Sequence, residues 1–260
     1  MPAADDLALL HEAALEAGRI ALHHWRRDPQ VWDKAGGAGP VTEADLAVNT
    51  HLEAALRDAR PNYGWLSEES PDDPARLDAE YCFIIDPIDG TRAFIDGLTG
   101  FSHSLAIARG HDIIAAVVHL PAQDLTYAAH EDGPALLNGA PISASHHGFE
   151  GADVLTSKPA LDPVHWRGVA PPLKRSFRPS LAWRLCLVAE GRFDAAFSVR
   201  PAWEWDIAAG SLIARRAGCA ASDLSGRPLR FNTASALNDG LIVARQRLHD
   251  AMLSAMTPRR

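Results

Sequence analysis

The chain is poor in cysteine. Its 260 residues hold three, Cys82, Cys186 and Cys219, far apart and each in apolar surroundings. An odd number so placed is no disulfide framework, and buried free thiols in a reducing compartment are expected. A surplus of positive charge is also missing: 25 Lys and Arg stand against 33 Asp and Glu, a formal net charge of −8. Gripping a nucleic-acid backbone needs a basic face, so a nucleic acid polymer is not an expected partner. Small anions stay open, because a bound cation can invert the charge locally. No apolar run approaches the length of a membrane span. The acidic opening MPAADDLALLHEAALEAG lacks the basic flank and apolar core of a signal peptide. A cytoplasmic protein is expected. The 12 histidines show no zinc-type spacing; His23-His24 and His146-His147 are adjacent pairs that do not readily face one site, and they are expected at the surface. There is no low-complexity tract and no repeat with a period of roughly 20–50 residues.

What the chain does contain is alternating order. Leu7 to Trp25 has Leu10, Ala14, Ala17 and Ala21 at helical spacing. Gly36, Gly37, Gly39 and Pro40 then break the chain. Thr42-Glu-Ala-Asp45 reads as a helix N-terminus continued by Leu46 to Leu56. Gly64-Trp65-Leu66 is extended, 71–79 a polar loop, and Tyr81 to Ile85 an apolar run of strand length, as for a strand covered on both faces. Strands are expected at Ser102 to Ala108, Ile113 to Leu120 and Leu125 to Ala129, and Asn138-Gly139 marks a hairpin turn. Composition turns polar at His146 to Gly151, which divides the chain into an α+β part, 1–147, and an α/β part, 148–260. The second part reads as strand (Val154 to Ser157), helix (Ser180 to Gly191), strand (Phe193 to Ser198), helix (Asp206 to Ala217), strand (Gly240 to Ala244) and a last helix from Gln246. Such alternation implies layered α/β architecture.

One stretch stands out: the strand Tyr81 to Ile85 runs into Asp86-Pro-Ile-Asp89-Gly-Thr91. An Asp-Pro followed by Asp-Gly is also an ordinary turn. Here the short spacing puts two carboxylates near one point at the carboxyl edge of a strand, where α/β proteins bind ligands. Two acids at that range repel unless a cation lies between them. Gly90 and Thr91 open a short helix whose free N–H groups offer an anion site beside the acids. A cation and an anion side by side is the need of metal-assisted phosphoryl chemistry, and hard oxygen ligands favour Mg²⁺ or Mn²⁺ over Zn²⁺. Other acids have both a structural and a functional reading. Glu68 and Glu69 in GWLSEES make a solvated turn or join the site; Asp45 completes a capping box or faces a metal; Asp206 in EWDIAAG caps a helix or reaches a metal.

Together these four pieces resemble the inositol monophosphatase superfamily of Mg²⁺-dependent, lithium-sensitive phosphatases. The matching segments are Val41 to Asp45, Gly64 to Glu69, Ile84 to Thr91 and Trp205 to Gly210, in the family's order from about Leu7 to Ala244. The resemblance implies a layered αβαβα sandwich. It implies that Glu68, Asp86 and the Ile88 carbonyl bind one metal and that Asp86, Asp89 and Asp206 bind a second, with Glu68 helping a third, so two or three Mg²⁺, with Mn²⁺ as substitute. It implies that Asp45, Thr91 and Glu68 act in catalysis, Asp45 and the Thr91 hydroxyl orienting and deprotonating the water that attacks phosphorus in line. Substrate contacts would come from Gly90, Thr91, Ser180, Arg184, Arg200 and Asp206, and a homodimer is compatible with it.

The substrate is expected to be a small phosphorylated metabolite. Where the inositol branch places a Glu for ring hydroxyls, this chain has Ser198-Val199-Arg200. Arg200-Pro201, Glu204-Trp205-Asp206 and SGRPLRFN, Ser225 to Asn232, resemble the bisphosphate nucleotidase (CysQ-type) branch. That branch implies hydrolysis of 3′(2′)-phosphoadenosine 5′-phosphate to AMP, with Arg184 and Arg200 as cations for the second phosphate or as solvated surface residues. Inositol-1-phosphate, histidinol phosphate and an inactive binding relative are the alternatives. Pro179-Ser180-Leu181 and Arg92 depart from the family's usual residues.

Overall fold

The computed structural model describes residues 2–34, 36, 39–169 and 171–257. Gly37, in the expected break, and Arg260, at the end of the expected second part, lie outside the described residues. The first half runs α1 (Pro2–His24), β1 (Val31–Asp33), β2 (Pro40–Thr42), α2 (Glu43–Ala59), β3 (Gly64–Ser67), β4 (Tyr81–Asp89), α3 (Thr91–Ile95), β5 (Ser102–Arg109), β6 (Asp112–Leu120), β7 (Leu125–His130), β8 (Leu136–Leu137) and β9 (Ala140–Pro141). The second runs β10 (Asp153–Leu155), β11 (Lys174–Ser176), α4 (Leu181–Ala189), β12 (Ala195–Ser198), β13 (Ala202–Trp203), α5 (Glu204–Arg216), β14 (Cys219–Ser222), β15 (Leu237–Asn238), β16 (Leu241–Arg245) and α6 (Gln246–Ala255).

Strands β3 to β9 form one seven-stranded sheet in sequence order, and β11-β10-β12-β16-β14 a second of five strands. Alternation of side chains along each strand decides the layers. On β4, Phe83 and Ile85 face a core with Leu10, Ala14 and Ala17 of α1 and Val48, Leu52 and Leu56 of α2. Their neighbours Cys82 and Ile84 face the opposite way, into a core with Leu185 and Val188 of α4, Ile207 and Leu212 of α5, and Leu155, Ala196 and Val243 of the second sheet. The other side of that sheet, Val154, Phe197 and Ile242, packs on Leu248 and Met252 of α6. The order is helix, sheet, helix, sheet, helix: the expected αβαβα sandwich. Both faces of β4 are covered, which is why its sequence is a continuous apolar run rather than an alternating one. The three cysteines are buried free thiols. His23, His146 and His147 are exposed.

The two sheets draw their strands from before residue 147 and after residue 148, and we propose that the chain divides there. Several elements differ from expectation. β4 does not stop before the acids but continues to Asp89 through an irregularity between Asp86 and Asp89. Pro87 has no N–H for the ladder, and such a residue is accommodated at a bulge. Of the expected break, Gly36 and Gly39 lie between the strands of the hairpin β1–β2 and Pro40 opens β2, with Val31 paired to Thr42. The loop 71–79 contains a 3₁₀ turn, Pro74–Asp78, capped by the Asp73 side chain. The second sheet is mixed: β10 runs parallel to β11 and β12, while β16 runs antiparallel to β12 and β14. β11, β13, β14 and β15 were not expected; each has two to four residues, too few for a period to register.

Candidate metal centre

The centre lies where the two halves meet. β4 brings Asp86 and Asp89; the end of β3 brings Glu68; the first turn of α5 brings Asp206. α5 is seated by Ser104 of β5, whose hydroxyl donates to the Trp205 carbonyl at 2.8 Å. Ser104 is the ladder partner of Asp86, so this bond ties Asp206 to the strand that carries Asp86. Asp206 is not the helix cap, as its position allowed: Trp203 takes that place, and Asp206 is the third helical residue, turned to the centre.

Carboxylate oxygens of Glu68, Asp86 and Asp206 lie within 4.8 Å of one another. Asp86 is 1% exposed, and its Oδ1 has no hydrogen-bond partner among the described residues. Burial, and then the charges of Glu68, Asp89 and Asp206, hold the Asp86 carboxyl well above the usual range. Burial, then Asp89 and Glu68, do the same to Asp206. Asp89 is fixed differently. Its Oδ2 accepts from the Ser180 hydroxyl and from the Ala182 N–H, each at 2.7 Å, at the start of α4. Burial still pushes it up to about 6 against the lowering effect of those bonds. A buried carboxylate oxygen without a donor, among acids that repel each other, fits a divalent cation, and an all-oxygen donor set fits Mg²⁺.

Asp45 stands in the first turn of α2. The capping box is present: Thr42 N–H and hydroxyl donate to Asp45 Oδ2 at 2.8 and 2.5 Å, and Thr42 Oγ1 accepts from the Asp45 N–H at 3.3 Å. The structural reading of Asp45 is met, and its other oxygen, Oδ1, lies 3.2 Å from Thr91 Oγ1. The Thr91 hydroxyl also lies 3.1 Å from the Ile88 carbonyl, so its single proton has two acceptors. Burial pushes Asp45 up to about 6, opposed by the Thr42 bonds. Gly90 turns the chain between β4 and α3 at φ +96°, where a side chain would be strained and its Cβ would stand 3.3 Å from the Gly100 carbonyl.

The substrate-side residues scatter more. Ser180 is fully buried; its hydroxyl donates to Asp89, accepts from Trp183 N–H at 2.8 Å and lies 2.9 Å from Ser102 Oγ. It is therefore placed to fix Asp89. Arg184 is anchored: Nε donates to the Arg178 carbonyl at 2.5 Å, Nη2 to Pro179 at 3.1 Å, and the guanidinium covers the Phe177 ring at 4.2 Å. Burial lowers its pKa, and Asp89 and Asp206 nearby oppose that. Arg200 is exposed in the turn after β12, and no side-chain bond holds it among the described residues.

One residue of the site was not expected. Lys34 Nζ, from the β1–β2 hairpin, lies 2.6 Å from Glu68 Oε1 and 2.5 Å from Glu69 Oε1. Burial alone would lower its pKa, but the two glutamates outweigh that and raise it. A single lysine beside a glycine-rich turn has no sequence signal of its own.

The raised pKa values carry a stability prediction for the metal-free protein. A carboxyl whose folded pKa exceeds its unfolded value of about 4 stabilises the fold below that value and loses the contribution as pH rises through the folded one. For Asp89 the upper limit is about 6, and Asp86 and Asp206 act in the same direction. The rise in Tm on adding Mg²⁺ over chelator should therefore grow from about pH 4 to above about pH 6, as bound cation replaces bound protons. Calorimetric scans showing a Mg²⁺ effect independent of pH over that window would contradict the crowding of acids.

Comparison with known proteins places the chain in a family. The family model described as "Inositol monophosphatase family" matches residues 4–258. The chain is 34% identical to an inositol-1-monophosphatase of Rhizobium meliloti over 74% of each chain. It is 32% identical to a histidinol-phosphatase of Chlorobaculum parvum over 85% of this chain and 87% of that protein. Among solved structures it resembles a Thermotoga maritima IMPase, with a TM-score of 0.81, 27% identity and 96% of each chain covered. The matched family spans both halves and all four acidic segments, and the chain belongs to the inositol monophosphatase family of phosphatases.

Proposed function

We propose that this phosphatase removes the 3′(2′)-phosphate of 3′(2′)-phosphoadenosine 5′-phosphate, leaving AMP. Divalent ions held by Glu68, Asp86, Ile88 O, Asp89 and Asp206 would neutralise charge on the phosphate and the departing alkoxide and make water more acidic. The chain's own residues do the rest. Thr91 Oγ1, with its proton turned to Asp45, is free to accept a proton from the attacking water while its own passes to Asp45, a stronger base than a free carboxylate. Gly90 and Thr91 offer N–H groups at the start of α3 to the phosphate oxygens. Asp206 and Arg184 border the leaving group.

The observation that carries the substrate choice is Arg184. Its guanidinium is already held by two carbonyls and a ring, so a contact to a second phosphate would lose little side-chain freedom. The exposed Arg200 is a weaker rim contact than its place in the sequence suggests. No acid stands at Ser198-Val199-Arg200 for a cyclitol's hydroxyls. Hydrolysis of 3′-phosphoadenosine 5′-phosphate should therefore exceed that of inositol-1-phosphate in kcat/KM. Arg184→Met should lower the bisphosphate's kcat/KM by about ten- to a hundredfold, as for a charge-assisted bond, and a monophosphate's much less. Arg200→Ala should have the smaller effect. A better rate on inositol-1-phosphate, or an equal loss on both substrates, would sink the nucleotidase reading and leave the phosphatase intact. The second reading is inositol-1-phosphate itself, favoured by the name of the Rhizobium meliloti relative.

A further inference from the structure

The irregularity in β4 leaves a backbone problem that one side chain solves. Asp86 pairs with Ser104 and Asp89 with Ser102, so Pro87 and Ile88 together face the single residue His103 on β5. A bulge of this kind leaves backbone groups without a ladder partner. The Pro87 carbonyl is met by His103 Nδ1. A carbonyl only accepts, so Nδ1 carries the ring proton and Nε2 is bare. Among the described residues the buried Nε2 has no partner, and the ring's one polar contact is the bond to Pro87. The ring is fully buried and stacks on His119 at 6.0 Å and 29°, and His119 is itself held by Thr126 Oγ1 at 2.9 Å.

We propose that His103 is a positioning residue for the metal centre: by holding the Pro87 carbonyl, it fixes how the bulge between Asp86 and Asp89 presents the Ile88 carbonyl. The Ile88 side chain is locked in the core with α1 and α2, and its carbonyl sits 3.1 Å from Thr91 Oγ1, on the Asp45 side. With the Pro87 carbonyl pinned by His103 and the Ile88 side chain buried, the peptide between them has no freedom to turn over. An apolar residue at 103 would fill the same space but leave the Pro87 carbonyl buried and unmet, and the bulge would rotate to relieve it. The proposal rests on the reading of this centre as a divalent-metal site.

The experiment compares wild type, His103→Leu and His103→Asn. Asn can place an amide N–H where Nδ1 stands; Leu cannot. Mn²⁺ binding to the substrate-free protein is measured by paramagnetic resonance, and the ring tautomer by ¹⁵N NMR. We expect His103→Leu to weaken Mn²⁺ binding about ten- to a hundredfold, the usual loss when a group orienting a ligand is removed. His103→Asn should stay within a few-fold of wild type, the half-saturating Mg²⁺ for activity should follow the same order, and NMR should show the proton on Nδ1. Wild-type affinity in the Leu variant, equal losses in Leu and Asn, or a proton on Nε2 would overturn the assignment. If the Leu variant does not fold, the Asn variant and the tautomer decide alone: weak binding by Asn, or an Nε2 proton, overturns it. A wild-type protein that binds no Mn²⁺ overturns the metal reading and this inference with it.

Discussion

Asp86→Asn is expected to abolish nearly all turnover while leaving the fold intact. Asp86 is common to both expected metal positions, and its Oδ1 is buried without a donor. Asparagine has the same shape but no charge, so packing is kept and the ligand is lost. The loss should be on the order of a thousandfold or more, about 4 kcal/mol of transition-state stabilisation, in the range of what a metal contributes. Stability should move the other way in the absence of metal. Because the folded pKa of Asp86 lies well above its ordinary value, the carboxyl stabilises the fold only while protonated and loses that contribution as pH rises. Asparagine behaves as a carboxyl that never ionises, so the chelated variant should melt no lower than chelated wild type at neutral pH. Mg²⁺ should raise the Tm of wild type and not of the variant. A folded variant within tenfold of wild-type turnover at saturating Mg²⁺ would remove Asp86 from the ligand set.

Thr91→Ala should lower kcat by about a hundred- to ten-thousandfold with little change in KM, since orienting and deprotonating the nucleophile is a transition-state effect. Thr91 Oγ1 lies 3.2 Å from Asp45 and 3.1 Å from the Ile88 carbonyl, so the hydroxyl links α2 to the end of β4. Thr91→Ser retains that oxygen and should recover most of the rate. A raised KM with kcat unchanged would reduce Thr91 to a phosphate contact. Loss of rate in Ser equal to that in Ala would assign its importance to the methyl group.

Much of the site was legible because the chemistry is local. Asp86, Asp89 and Thr91 lie within six residues, so strand and turn alone keep them together. The capping box at Thr42 to Asp45 showed which way Asp45 would be held. What was not legible came from pairs distant in the chain. The resemblance implied a substrate contact from Ser180, and no local signal showed that its hydroxyl bonds to Asp89, 91 residues away. Lys34 reaches Glu68 from a hairpin of three-residue strands. The sequence put the weight on Arg200, with Arg184 beside it, and only the structure shows Arg184 anchored and Arg200 exposed.

The sequence by itself determined the layered class, the identity of the carboxylates and an oxygen donor set suited to hard cations. Strand and helix periods and short-range turn chemistry act over a few residues, and residue type alone sets ligand hardness. The tertiary structure decided the rest. It carried β4 through Pro87 to Asp89, seated α5 through the Ser104–Trp205 bond so that Asp206 meets Asp86, and placed His103 against the bulge. Each of these depends on which backbone groups a ladder leaves unpaired and on which distant side chain meets them. That is a property of strands packed side by side, and no window along one chain contains it.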